Sequence, residues 1–207
     1  MLTTELIPAQ KPIGNRLMVV LHGLGDSMEG YRFLPEALRI PWLNYLLVNA
    51  PDSYYGGFSW YDFAGQPGPG VERSRKLLFQ LLDELQTKGF AANDIMLFGF
   101  SQGCLMSMEV ALRYPKKLAG IVGVSGYLFE PTQLLAELSP VAREQRMLMT
   151  HGTNDPIIPM EDVRTDVAMM NEMGVRIDWK EFRKVHTIAG EIELSVIREF
   201  VLGCYPK

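Results

Sequence analysis

The chain has 207 residues, of which 47% are hydrophobic and 21% charged, with a formal net charge of −4. This length and apolar content suit one ordinary domain with a sizeable core and exclude a disordered chain. The charge balance is acidic and the densest basic spot is only Lys116-Lys117, a pair that suits the end of a helix dipole, so nucleic acid is excluded as a partner.

The first twelve residues contain Glu5 and have neither a basic stretch nor an apolar one, so they do not read as a signal peptide. A strand is predicted over residues 17–22. Leu17 to Leu21 is apolar throughout, as a strand covered on both faces should be. A helix over 28–39 follows, with Ser27 as its N-cap, then a strand over 45–50 ended by Pro51. Residues 51–70 form a long irregular stretch with five glycines, three prolines and the aromatics Tyr54, Tyr55, Phe58, Trp60, Tyr61 and Phe63. We read it as a wall lining the substrate site, although the same aromatics would serve a homodimer contact equally well. A helix over 71–88 carries Leu77, Leu78, Leu81, Leu82 and Leu85 at helical spacing and stops at Gly89.

A strand over 94–100 leads into a helix over 102–114 that stops before Pro115. Strands over 119–125 and 146–151 come next, then a helix over 160–173 and a strand over 175–182. This last strand alternates Val175, Ile177 and Trp179 with Arg176, Asp178 and Lys180, which places it near a sheet edge. A helix over 189–202 completes the pattern. Strands alternating with helices imply the α/β class, with a mostly parallel twisted sheet and helices on both faces. In such sheets the chemistry gathers at the carboxyl ends of the strands. Residues 1–207 show no repeat, linker or large separate lid, so a single domain is expected. The longest apolar runs fall far short of a membrane span.

Gly99-Phe100-Ser101-Gln102-Gly103 stands where the strand over 94–100 meets the next helix. A sharp strand-to-helix turn exposes the serine hydroxyl, and flanking glycines remove side chains that would collide there. A serine needs a base, and the chain has three histidines. His22 precedes the serine and His151 closes a strand, so both read as structural. His186 follows Ser101 in the loop after the sixth strand, in the chain order this architecture uses. Asp155, just after the fifth strand, is the carboxylate placed to orient His186. Asp162 and Asp178 remain alternatives on a helix and on a strand's polar face. An oxyanion hole needs two N–H donors. One should be the backbone N–H of Gln102 and the other should come from His22-Gly23-Leu24-Gly25-Asp26.

No phosphate-loop pattern is present, and the histidines share no metal-ligand spacing, so no metal or cofactor is expected. Cys104 and Cys204 form no CxxC pair and read as buried free thiols, which points to a cytoplasmic protein. The twelve methionines read as core filling.

With these residues in view, the chain resembles the phospholipase/carboxylesterase family of α/β-hydrolases, which includes acyl-protein thioesterases. The resemblance runs from about residue 17 to 201. Besides the two glycine-rich segments above, it rests on Trp60-Tyr61-Asp62 and Ser125-Gly126-Tyr127-Leu128. It continues through His151-Gly152-Thr153-Asn154-Asp155-Pro156-Ile157-Ile158-Pro159 and His186-Thr187-Ile188. It implies an α/β-hydrolase fold and a triad of Ser101, Asp155 and His186. It also implies an oxyanion hole from the N–H groups of Leu24 and Gln102, and a pocket lined by Trp60, Tyr127 and Leu128. The implied reaction is cofactor-free hydrolysis of esters or thioesters of short to medium acyl chains, on small molecules, acylated proteins or lysolipids. One departure stands out: the family places glycine before the base, and here it is Val185. A non-catalytic protein of the same fold that binds a small apolar ligand is the rival reading, and it has no use for an intact set of Ser101, Asp155 and His186.

Overall fold

The computed structural model describes residues 1–205; residues 206 and 207, at the end of the expected domain, lie outside the described part. Strands β1 (Thr4–Ile7), β2 (Leu17–Leu21) and β3 (Asn44–Val48) come first. A separate hairpin of β4 (Asp52–Tyr54) and β5 (Gly57–Ser59) follows, then β6 (Ile95–Phe100), β7 (Gly120–Val124), β8 (Met147–Gly152) and β9 (Ile177–Phe182). The main sheet runs β1-β3-β2-β6-β7-β8-β9. Its neighbours are parallel except β1, which pairs antiparallel with β3. Sequence patterning missed β1, a four-residue edge strand whose side chains alternate between exposed and half-buried.

Both faces of the sheet are covered. Leu17, Val19 and Leu21 of β2 point into one apolar cluster and Met18 and Val20 into the other, the period-2 alternation of a strand. Helices α1 (Leu34–Leu38) and α6 (Glu191–Cys204) cover the face that holds Met18, through Leu34, Leu38, Ile197 and Val201. Helices α2 (Pro67–Thr87), α3 (Gln102–Arg113), α4 (Pro131–Ala136) and α5 (Met160–Glu172) cover the other. Burying a leucine fully contributes about 2 kcal/mol, so rows of this kind on both faces hold the sheet together.

Two expectations need correction. The helix predicted over 28–39 is broken into a 3-10 turn at Met28–Tyr31 and the short α1, which ends at Arg39 in the left-handed conformation. Pro35 has no N–H to donate and is tolerated only in the first turn, which fixes where α1 starts. Ser27 is no side-chain cap: its hydroxyl donates to Glu29 at 2.5 Å, and Asn49 Oδ1 accepts the Met28 N–H at 2.7 Å instead. The stretch 51–70 is also more ordered than expected. The β4–β5 hairpin turns through Tyr55 (φ 43°) and Gly56 (φ 92°), two positive φ values in succession as a type I′ turn requires. Helix α2 starts at Pro67, earlier than expected, because both Pro67 and Pro69 fall in its first turn.

Candidate active site

Ser101 sits between β6 and α3 with φ 53° and ψ −115°, a region that strains any residue with a side chain. The surrounding backbone holds it there. Its N–H donates to Val124 O at 2.9 Å, and its carbonyl accepts from Cys104 N–H (3.0 Å) and Leu105 N–H (3.2 Å). The flanking glycines have a steric reason. A Cβ on Gly99 would lie 2.0 Å from Gly103 O, and one on Gly103 would lie 2.1 Å from Leu21 O. Only bare backbone lets α3 press this closely on β2 and β6.

His186 lies in the loop between β9 and α6, 13% exposed at its side chain. Its Nε2 is 2.9 Å from Ser101 Oγ, and its Nδ1 is 2.8 Å from Asp155 Oδ2. The Asp155 side chain is fully buried. Its other oxygen accepts the N–H groups of Ile157 (2.9 Å) and Ile158 (3.0 Å), a local turn that aims the carboxylate. Burial alone would raise the Asp155 pKa, but the Ile158 N–H, His186 and the Ile157 N–H outweigh it and hold the carboxyl below its usual range. Asp162 and Asp178, the alternatives, are exposed.

The other two histidines are built into the fold. His22 is fully buried, with Nδ1 2.6 Å from Gly23 O and Nε2 accepting the Ala50 N–H at 3.0 Å. A ring nitrogen that accepts carries no proton, so His22 is neutral, and burial pushes its pKa down. His151 is also fully buried and depressed by burial. It stacks on Trp179 at 5.8 Å and sits 3.1 Å from Ile158 O and 3.5 Å from Asp155 Oδ2.

Ser101 and His186 open onto a cavity of about 240 Å³ lined by Leu24, Tyr61, Phe63, Tyr127, Ile157 and Ile158, among others. Leu24 and Gln102 border this space, and among the described residues no backbone carbonyl takes up either N–H. Tyr127 lines the cavity, its hydroxyl 3.0 Å from that of Tyr61. Trp60 and Leu128, expected beside it, instead lie in the core, 0% and 3% exposed. The Trp60 indole donates to His22 O at 2.9 Å, so its ring braces the loop after β2 and does not face a ligand.

The Gln102 side chain has a role that sequence reading missed. Buried, it accepts from Trp60 N–H (3.0 Å) and Ser59 hydroxyl (3.2 Å) and donates to Tyr61 O (3.0 Å). One amide thus fastens the aromatic segment to the serine turn. Nothing in the motif marks it, because the pattern leaves that position open.

Cys104 is buried on α3, its thiol pushed up to about 12 by burial. Cys204 is only half-buried, less than expected, and is pushed up to about 11. Lys116 and Lys117 make surface contacts with Asp83, Gln86 and Glu144. Among the described residues no group of three His, Cys, Asp or Glu is placed to hold a metal ion, and no helix is long and apolar enough to cross a membrane.

Residues 3–204 match the family model for phospholipase/carboxylesterase. The chain belongs to that family. Among curated relatives, it is 35% identical over 155 residues to acyl-protein thioesterase 1 of Schizosaccharomyces pombe, covering 69% of each chain. It is 32% identical over 210 residues to acyl-protein thioesterase 1 of Yarrowia lipolytica, covering 92% of each. The crystal structure of esterase PE8 superposes with a TM-score of 0.84 at 26% identity, covering 99% of both chains. The Zea mays acyl-protein thioesterase 2 superposes at 0.81 with 22% identity over 98% of both, a likeness of fold. The architecture is thus the α/β-hydrolase fold of the phospholipase/carboxylesterase family, with the serine turn at the carboxyl end of β6.

Where the resemblance leads one to expect a glycine before His186, this chain has Val185, and the structure shows how the loop accepts it. Val185 does not take a positive φ, and the residue is 53% exposed. A β-branched residue fits that backbone without strain.

Proposed function

We propose that Ser101 is the nucleophile, His186 the base and Asp155 the orienting carboxylate of a hydrolase acting on carboxylic esters or thioesters. The observation that carries this reading is the unbroken chain of contacts from Ser101 Oγ through His186 to Asp155, at 2.9 and 2.8 Å, at the mouth of a cavity. His186 Nε2 takes the Ser101 proton as Oγ forms a bond to the acyl carbon. Asp155 accepts the Nδ1–H, keeps the ring in the required tautomer and stabilises its charged form. The N–H groups of Leu24 and Gln102 receive the tetrahedral oxyanion, the latter strengthened by its place at the N-terminus of α3. Return of the proton from His186 releases the alcohol or thiol. Water then gives a proton to His186 and bonds to the acyl carbon, and the acyl–Oγ bond breaks as His186 returns that proton to Ser101.

The cavity falls just below the roughly 300–1,000 Å³ usual for small-molecule sites, which supports short to medium acyl groups. A neighbouring recess of about 260 Å³ shares Phe63, Tyr127, Ile157 and Ile158 with it and offers room for further methylenes. Acylated proteins and lysolipids are substrates within this class. The described residues act as one domain, without a separate lid among them. Its free thiols suit the cytoplasm. Any homodimer would draw on the hairpin tip, where Tyr55 is 96% exposed.

Hydrolysis of p-nitrophenyl esters from acetate to palmitate by the wild type and by Ser101→Ala tests the proposal. Turnover by the wild type is expected to fall to background in the alanine variant. A folded wild type inert across the whole series would overturn it.

A further inference from the structure

Residues 183–190 carry His186 and have one half-buried apolar anchor, Ile188; of these eight, only Lys184 is buried. Its ammonium reaches back under the loop to Glu193 on α6, with Nζ 2.6 Å from Oε1. Both side chains are out of solvent, at 2% and 0% exposure. The same Oε1 accepts the hydroxyl of Thr150 on β8 at 2.5 Å, and Oε2 accepts the Ala189 N–H at 2.6 Å. One carboxylate therefore ties β8, the residue two before His186 and the residue three after it. Lys184 O also accepts the Asn154 N–H at 3.1 Å, which joins this loop to the one that presents Asp155.

A buried ion pair is weak evidence for stability, since an apolar pair of similar volume is often as stable or more so. Burial indeed pushes the Lys184 pKa down against the pull of Glu193. What directional contacts give, and apolar packing does not, is position. Building on the triad reading above, we infer that the buried Lys184–Glu193 pair is a positioning device that holds His186 in register with Ser101 and Asp155. Displacing a reacting group by about 1 Å can lower a rate on the order of 100-fold. Thr150, Lys184 and Glu193 do not line the cavity, so loosening the clamp acts on kcat and leaves KM alone.

The test measures Tm, kcat and KM on p-nitrophenyl butyrate at 25 °C for five variants. These are Glu193→Gln, Lys184→Met, the double variant, Thr150→Val and, as a stability control, Leu82→Ala in the core of α2. Each single charge removal is expected to lower kcat roughly 10- to 100-fold, with KM within about twofold. Thr150→Val, which leaves the ion pair intact, should lower kcat by about threefold. The double variant leaves no unpaired buried charge, so its Tm should recover above those of the single variants while kcat stays low. Leu82→Ala should lower Tm with kcat unchanged. Folded variants with wild-type kcat, or a kcat that recovers together with Tm in the double variant, would show a purely structural pair. If the single variants do not fold, the double variant and Thr150→Val decide the matter by the same criteria. Ser101→Ala, run alongside, separates the two levels: activity retained there overturns the triad reading itself, whatever Glu193 does.

Discussion

The serine turn and the histidine loop meet at one point in space but are held in different ways. Ser101 is fixed through backbone: two glycines that admit close approach, a strand before it and a helix after it, local bonds from Cys104 and Leu105, and one bond to the distant Val124 on β7. His186 is fixed by residues far along the chain. Its partners stand 31 and 85 positions away, and its loop hangs on a buried carboxylate from the following helix, which in turn accepts a hydroxyl from β8. The proposed nucleophile can therefore be marked by five consecutive residues, because the glycines that its close packing requires lie within the turn itself. A base in an exposed loop needs the assembled fold.

The largest effect that sharpens this contrast is on activity. Asp155→Asn should keep the fold but present the wrong hydrogen-bonding pattern to His186, lowering kcat by about 10³- to 10⁴-fold; steady-state kinetics beside circular dichroism would check it. On the serine side, Gly103→Ala places a Cβ against the backbone of Leu21, which has no rotamer to yield. A loss of about 3 kcal/mol in urea denaturation is expected, and a neutral result would mean that α3 can withdraw from the sheet.

The buried histidines give the next effect. His22 and His151 have pKa values lowered by burial, so below about pH 6.5 the unfolded chain takes up protons that the folded chain refuses. Stability should be complete above that value and fall as the pH drops. The slope is at most about 1.4 kcal/mol per pH unit for each histidine, an upper limit of about 3 kcal/mol together between pH 7.5 and 5.5. Stability that is flat over that range would mean both rings protonate within the fold. The smallest effect belongs to Val185→Gly in the histidine loop. With an exposed side chain and an unstrained backbone, it should cost under about 1 kcal/mol through unfolded-state entropy. A gain in kcat there would reveal that valine holds the loop away from its best position.

Much of the site was legible because its signals are local. The pentapeptide at 99–103 carries its own sterics, and with three histidines in the chain the choice of base was narrow. Asp155 stood out through its place after a strand. What escaped notice depended on partners distant in sequence. Trp60 read as a pocket wall because aromatic residues in a loop suggest one, yet its indole found a carbonyl on His22. The side chains of Gln102, Lys184 and Glu193 gave no pattern at all, since a polar residue in a sequence looks solvated until packing closes over it.

By itself the sequence determined the alternation of strands and helices, the sharp serine turn and the family, because hydrophobic period, backbone sterics and residue type act within a few positions. Only the tertiary structure decided which aromatics face the cavity, where the helix after Ser27 breaks and what steadies His186. Those outcomes turn on buried hydrogen bonds between segments that meet only once the sheet has formed.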